Sequence, residues 1–151
     1  MVNNKRFGII VSLLLIIGSI ILFNNKNDVS NNALTSDTTA VRIDKLTSES
    51  VVIPYVKKHR KLPDYYIKKS DARKDGWNAA QGNLCDVLPG KAIGGDPFSN
   101  RERSLPAAPE RTWIEADLNY KCGRRNADRL LMSSDGLIFV TYDHYKTFKQ
   151  R

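Results

Sequence analysis

With 151 residues the chain has room for one domain and additional segments. Its 24 Lys/Arg against 16 Asp/Glu give a net charge of +8 at pH 7, which points to polyanionic partners such as RNA, DNA, teichoic acids or anionic lipid. Nothing in the sequence repeats.

Asn3-Asn4-Lys5-Arg6 is a short polar, basic start, and residues 7–23 (FGIIVSLLLIIGSIILF) carry no charge. A basic n-region before a long apolar run is the pattern of an export segment. Its 17 residues lie at the lower edge of what spans a bilayer, where about 20 are typical. Leu22-Phe23-Asn24-Asn25 offers no small-x-small cleavage site, and no cysteine lies near the run, so a lipoprotein anchor is excluded. Residues 1–23 are therefore expected to be a signal peptide or signal anchor. The protein is expected to be secreted, or alternatively tethered at the cell surface, with membrane contact only through this segment.

Residues 24–50 are rich in Asn, Ser, Thr and Asp and poor in large apolar side chains. Such a stretch buries too little surface to offset its ordering entropy, and it is expected to be a disordered linker or pro-segment. The folded domain is then residues 51–151. Residues 1–50 hold 5 Lys/Arg and 4 Asp/Glu, which leaves 19 and 12, a net +7, to that domain.

Its first half is expected to form short helices. Pro54 suits the first helical position, so a helix is expected from Pro54 to Arg60, ending before Leu62-Pro63-Asp64. A second, from Lys69 to Asp75, has Gly76 as its stop, and a third runs from Leu84 to Leu88 before Pro89-Gly90. The second half reads as strands. In residues 112–118 (TWIEADL), Ile114, Ala116 and Leu118 share one face, and Trp113, Glu115 and Asp117 share the other, which is expected to be open. Residues 127–133 and 137–142 flank Ser134-Asp135-Gly136, a strong hairpin signal. Helices followed by an antiparallel meander make an α+β domain.

Cys85 and Cys122, 37 positions apart, suit an oxidising compartment and one disulfide. Two buried free thiols are the alternative. A zinc site using both with His59 and His144 lacks the close ligand pairs of structural zinc sites. No metal or cofactor motif is present.

Taken singly, the polar residues of the second half have ordinary explanations. Glu115 suits a solvated strand face, and Arg125 and Arg129 could pair with Asp117 or Asp128. Lys57-Lys58-His59-Arg60-Lys61 is a basic helix end. Together they answer one chemical demand. RNA carries its own nucleophile, the 2′-hydroxyl. Cleavage needs a base for that proton, an acid for the leaving 5′-oxygen and fixed cations around the phosphoryl group. Glu115, His144 and the two arginines supply these parts.

The run GGDPFSNRE, then RTWIEADLNY, GRRNADRLL and DHYKTF, resembles the barnase family of secreted guanyl-specific bacterial ribonucleases, from about Arg60 to Arg151. The resemblance implies short N-terminal helices packed on an antiparallel sheet. It implies Glu115 as general base, His144 as general acid, and Arg125, Arg129 and Lys69 as groups on the scissile phosphate. Ser99, Asn100, Arg101 and Glu102 match a guanine-binding loop, and Phe98 and Tyr145 match aromatic positions beside base and phosphate. It implies single-stranded RNA as substrate and a small acidic, barstar-like intracellular inhibitor as partner of a monomeric enzyme. A non-catalytic basic surface module that binds nucleic acid or wall polyanions is the alternative.

The chain departs from the family pattern in several places. Pro54 falls where the family has mid-helix residues, and Lys68 replaces a capping threonine at a cost of about 1 kcal/mol. Gly136 replaces a tryptophan and Arg124 an aromatic residue. Cys85 and Cys122 take positions that are not cysteine in barnase, and the resemblance places them face to face.

Overall fold

A computed structural model describes residues 42–151. The apolar run 7–23 lies outside the described residues. Among those described, no helix is long and apolar enough to cross a membrane, so the expected membrane contact finds no support there.

The folded part starts earlier than its composition suggests. Residues 42–46 are helical, and Ile43 and Thr47 are both fully buried. Ile43 packs with Ala72, Trp77, Leu84 and Tyr120. Thr47 Oγ1 accepts from the Tyr120 amide at 2.9 Å, and its carbonyl accepts from the Asn119 amide at 2.9 Å. Tyr65 donates its hydroxyl to the Leu46 carbonyl at 2.6 Å. Polar composition misleads here because a single isoleucine and satisfied backbone groups are enough to seat the strand of chain. Residues 42–50 thus belong to the domain, not to a linker.

Helix α1 spans Glu49–His59 and runs straight through Pro54. The expected start at Pro54 is therefore corrected. Pro54 is exposed, so its ring sits on the solvent side, while Val52, Ile53 and Val56 bury the opposite stripe. The missing amide at Pro54 costs a hydrogen bond. Glu49 in the first turn and Lys57, Lys58 and His59 in the last complement the helix dipole. Arg60, in the left-handed region at φ 56°, closes the helix by donating its amide to the Val56 carbonyl at 2.9 Å. Helices α2 (Lys69–Lys74) and α3 (Leu84–Val87) fall where expected.

Six strands form one sheet in sequential order, the first lying between α1 and α2: β1 (Tyr66–Ile67), β2 (Ala92–Phe98), β3 (Trp113–Asp117), β4 (Arg129–Ser133), β5 (Ile138–Thr141) and β6 (Lys149–Gln150). β1 pairs parallel with β2; all other pairs are antiparallel. Gly94 lets β2 close on its neighbours. A Cβ there would meet the Ala116 Cβ and Tyr66 Cδ1, each at 2.7 Å. A register shift between Gly94 and Asp96 re-aims the strand toward the loop after Phe98.

Both faces of β3 are covered. Ala116 packs with Val52, Val56, Leu130 and Val140 under α1. Trp113 belongs to a second layer with Leu105, Leu131 and Phe139. The face expected to be open is therefore closed: Glu115 is 5 % exposed and Asp117 is 0 % exposed. The loops around residues 98–105 and 142–148 supply the cover that period-two patterning cannot see.

Candidate active site

Sheet register sets the centre of the site. On β3, Glu115 stands opposite Leu131 of β4 and Asp96 of β2, and Asp117 stands opposite Arg129. Residues two apart on a strand share a face, so Glu115 and Asp117 point the same way. Each carboxylate has drawn cations onto itself. Lys69, the first residue of α2, ion-pairs with Glu115 Oε1, and the Tyr145 hydroxyl donates to Glu115 Oε2. Burial pushes the Glu115 carboxyl up. The hydrogen bonds from Lys69 and Tyr145 and the charges of Lys69 and Arg125 outweigh it and hold the group below the usual carboxylate range. Burial together with the Glu115 carboxylate pushes the Tyr145 phenol well above its ordinary value.

Arg125 and Arg129 converge on Asp117. Arg125 Nε donates to both carboxylate oxygens at 3.0 and 2.8 Å, and its Nη2 donates to Oδ1 at 2.5 Å. Arg129 Nε lies 3.2 Å from Oδ1, within ion-pair distance, but makes no hydrogen bond. Its Nη1 donates to the Asp128 carbonyl at 2.7 Å and to Asn126 Oδ1 at 3.3 Å. The pairing expected as an ordinary surface ion pair is thus a buried one. It fixes the guanidinium planes beside Glu115.

Asp96 is a site residue that the sequence left unnoticed. Its Oδ2 accepts from the Lys69 amide at 3.0 Å. Lys68 makes no side-chain cap, as its identity implies, so Asp96 caps α2 from the neighbouring strand. The cap comes from 27 residues away in sequence, beyond the reach of any local motif.

The late loop carries the histidine. His144 and Tyr145 are consecutive left-handed residues, with φ 57° and 71°. Asp143 holds this turn. Its Oδ1 accepts from the Thr141 hydroxyl at 2.8 Å and from the Lys146 and Thr147 amides at 3.0 and 2.9 Å, and its Oδ2 accepts from the Thr147 hydroxyl at 2.6 Å. Those donors hold its carboxyl far below the usual range. The Tyr145 amide donates to Thr141 Oγ1 at 3.0 Å. His144 is exposed, and its ring lies 4.8 Å from that of Tyr145. His144, Arg125 and Arg129 line one cavity together with Arg124, Ala79 and Ala127.

Phe98, at the end of β2, stacks on Tyr145 at 5.3 Å, which joins the loop after it to the Glu115 centre. In that loop Asn100 spends its side chain internally, bonding the Leu105 carbonyl at 2.9 Å and the Leu105 amide at 3.0 Å. Ser99, Arg101 and Glu102 are exposed. The structure brings Glu115, Lys69, Tyr145, Arg125 and Arg129 into one network, with His144 and Phe98 at its edges. It places residues 99–102 on an adjoining rim, without a side-chain hydrogen bond to that network among the described residues.

Cys85 and Cys122 form a disulfide, with Cα atoms 5.6 Å apart. Neither sulfur is then a thiolate, which rules out the zinc alternative.

Comparison with known proteins agrees with this architecture. A family model for ribonucleases matches residues 50–151. The chain is 52 % identical over 122 residues to a ribonuclease of Bacillus intermedius, covering 81 % of this chain and 74 % of that protein. A ribonuclease of Bacillus pumilus matches with the same identity and coverage. A ribonuclease of Heyndrickxia coagulans is 60 % identical over 97 residues, 64 % of this chain and 89 % of that protein. The matched span carries every residue of the network around Glu115 and Asp117, and the chain belongs to the barnase-like family of bacterial ribonucleases.

Proposed function

We propose that this chain is an exported, guanyl-preferring endoribonuclease that cleaves single-stranded RNA by acid–base transesterification through a 2′,3′-cyclic phosphate. The observation that carries the reading is the state of Glu115: a nearly buried carboxylate, held ionised by Lys69 and Tyr145 and flanked by arginines fixed on Asp117. A carboxylate in that state accepts a proton from a 2′-hydroxyl placed against it. His144, which lines the arginine cavity, donates to the leaving 5′-oxygen. The cyclic phosphate is then opened by water with the two roles reversed. Arg125, Arg129 and Lys69 meet the phosphoryl oxygens as their charge develops. Neither step draws on a metal.

Base preference rests on the rim loop. Guanine enters against Phe98, backbone amides of residues 99–101 meet its O6, and the Glu102 carboxylate accepts from N1 and the exocyclic amine. The Asn100 side chain holds the loop shape through Leu105 and leaves base contact to the backbone. The Cys85–Cys122 disulfide suits an oxidising location.

Incubation of the full chain with GpA in excess EDTA tests this reading. Cleavage to guanosine 2′,3′-cyclic phosphate is expected, with CpA cut more slowly and Glu115→Ala losing roughly 10²–10⁴-fold in kcat. A folded protein that binds RNA without cutting it would leave the non-catalytic binding module in its place.

A further inference from the structure

The run Lys57-Lys58-His59-Arg60-Lys61 at the end of α1 is exposed throughout and takes no part in the chemistry above. We propose that this helix end docks the exported protein on a linear polyol-phosphate polymer of the bacterial surface, of the teichoic-acid type. The choice of polymer rests on the proposed export, whereas the surface itself does not.

Charge is the first argument. No acidic side chain lies between Glu49 and Asp64. Elsewhere on the domain Arg111, Arg125, Arg129 and Arg151 each meet a carboxylate, but among the described residues Lys57, Lys58 and Arg60 meet none. Lys61 reaches Asp64 Oδ1 at 3.4 Å, an exposed pair that contributes little. Like charges gathered on one helix end repel one another, and a bound polyanion relieves that repulsion.

Shape is the second. Arg60 donates from Nη1 to the Gly136 carbonyl at 3.2 Å, which ties the helix end to the β4–β5 hairpin. A Cβ on Gly136 would fall 1.5 Å from that nitrogen, so the hairpin glycine makes room for the guanidinium. One planar cation is thereby fixed, while Lys57, Lys58 and Lys61 carry point charges on flexible stems. That mixture suits a chain of repeating phosphodiesters better than one small anion.

Placement is the third. Val52, Ile53 and Val56 pack on Ala116, Leu130 and Val140. Glu115, Asp117 and Arg129 alternate with these residues along β3 and β4, so they point to the other side of the sheet. A polymer held on α1 leaves Glu115 uncovered. A lipid surface fits less well, because the apolar stripe of α1 is already buried on the sheet, which leaves Val51 and Pro54 exposed. Single-stranded RNA is gripped by stacking as well as by charge, and here His59 and Tyr55 lie ring to ring at 4.3 Å.

The test needs no turnover. Purified polyglycerol phosphate is titrated into the intact, oxidised protein by calorimetry at several salt concentrations. Lys57→Gln, Lys58→Gln and Lys61→Gln combined are expected to weaken binding by roughly tenfold or more. They should also flatten the slope of log K against log salt by about 2, at roughly 0.7 for each cation lost. Arginine at the same three positions is expected to keep both affinity and slope. GpA cleavage should be unchanged in either variant, which shows that the fold is intact. Oligoadenylate with the same number of phosphates is the comparison, expected to lose less than the polyol phosphate does. Absence of binding, a slope unmoved by the glutamines, or an equal or larger loss for oligoadenylate would overturn the proposal, the last by assigning the helix end to RNA. Polymer binding lost in the glutamine variant, in a protein that does not cut GpA, would uphold the docking surface and sink the enzymatic reading instead.

Discussion

Asp117 grips Arg125 through both carboxylate oxygens, at 2.5–3.0 Å, from a position with no exposure to solvent. The arginine that faces the cavity is thereby aimed from behind. A buried pair of this kind contributes little net stability, but losing one partner leaves an uncompensated charge, at a cost of about 3–5 kcal/mol. Asp117→Asn is expected to lower stability by that order in urea unfolding. It should also reduce kcat more than it raises KM, because the arginines lose their fixed planes. A stability unchanged within about 0.5 kcal/mol would show that the pair is not buried as described.

The acid limb of kcat/KM should report Glu115. Only the ionised carboxylate can take a proton, and its donors hold it below the ordinary value of about 4.3. Activity is therefore expected to persist below that pH and to fall as Glu115 protonates. Tyr145→Phe removes one donor, so the limb should move to higher pH. The linked stability has the same sign: the depressed carboxyl contributes stability above its unfolded value, lost as pH falls through the folded one. A limb that stays put in Tyr145→Phe would remove the phenol from control of the base.

Reduction offers a third test. Closing a loop with a sequence separation of 37 stabilises by roughly 4 kcal/mol in the chain-entropy picture. Cys85→Ser with Cys122→Ser is expected to lower Tm by on the order of 15 °C. Thiol treatment of the unmodified protein should give the same Tm, and an unshifted value under reducing conditions would contradict the bond's contribution.

The start of the domain can be checked by two substitutions. Ile43→Ala should cost about 2–5 kcal/mol, as for any buried isoleucine emptied to alanine. Thr47→Val leaves the buried Tyr120 amide without its acceptor, at a cost of about 1–3 kcal/mol. Unfolding curves that match the unmodified protein for both would return residues 42–50 to the status of a linker.

What could be read from the sequence was local. Asp135-Gly136 between apolar runs located the β4–β5 hairpin, and the alternation in 112–118 placed Glu115 and Asp117 on one face. What escaped was set at a distance. β2 contains Gly94, Gly95 and Pro97, which mask a strand in any propensity reading, and its bulge appears only once β3 is beside it. Pro54 suggested a helix start because the sequence does not show that Val52 and Val56 pull the preceding turn onto the sheet. Asp96 caps α2 across 27 residues, and Thr47 reaches Tyr120 across 73. The candidate residues could be named from the sequence by type, whereas the Asp117 pairing behind the arginines required the fold.

The two-sided burial of β3 divides the molecule into parts with unequal freedom to change over evolutionary time. Glu115 sits between Ile114 and Ala116, which touch the core under α1, and near Trp113, which anchors the opposite layer. Any drift in that strand costs foldedness, so Glu115 is held in place by selection on the core. The exposed side chains of Ser99, Arg101 and Glu102 carry no such debt. On the proposed reading, the rim can therefore be retuned while Glu115 stays frozen in the sheet.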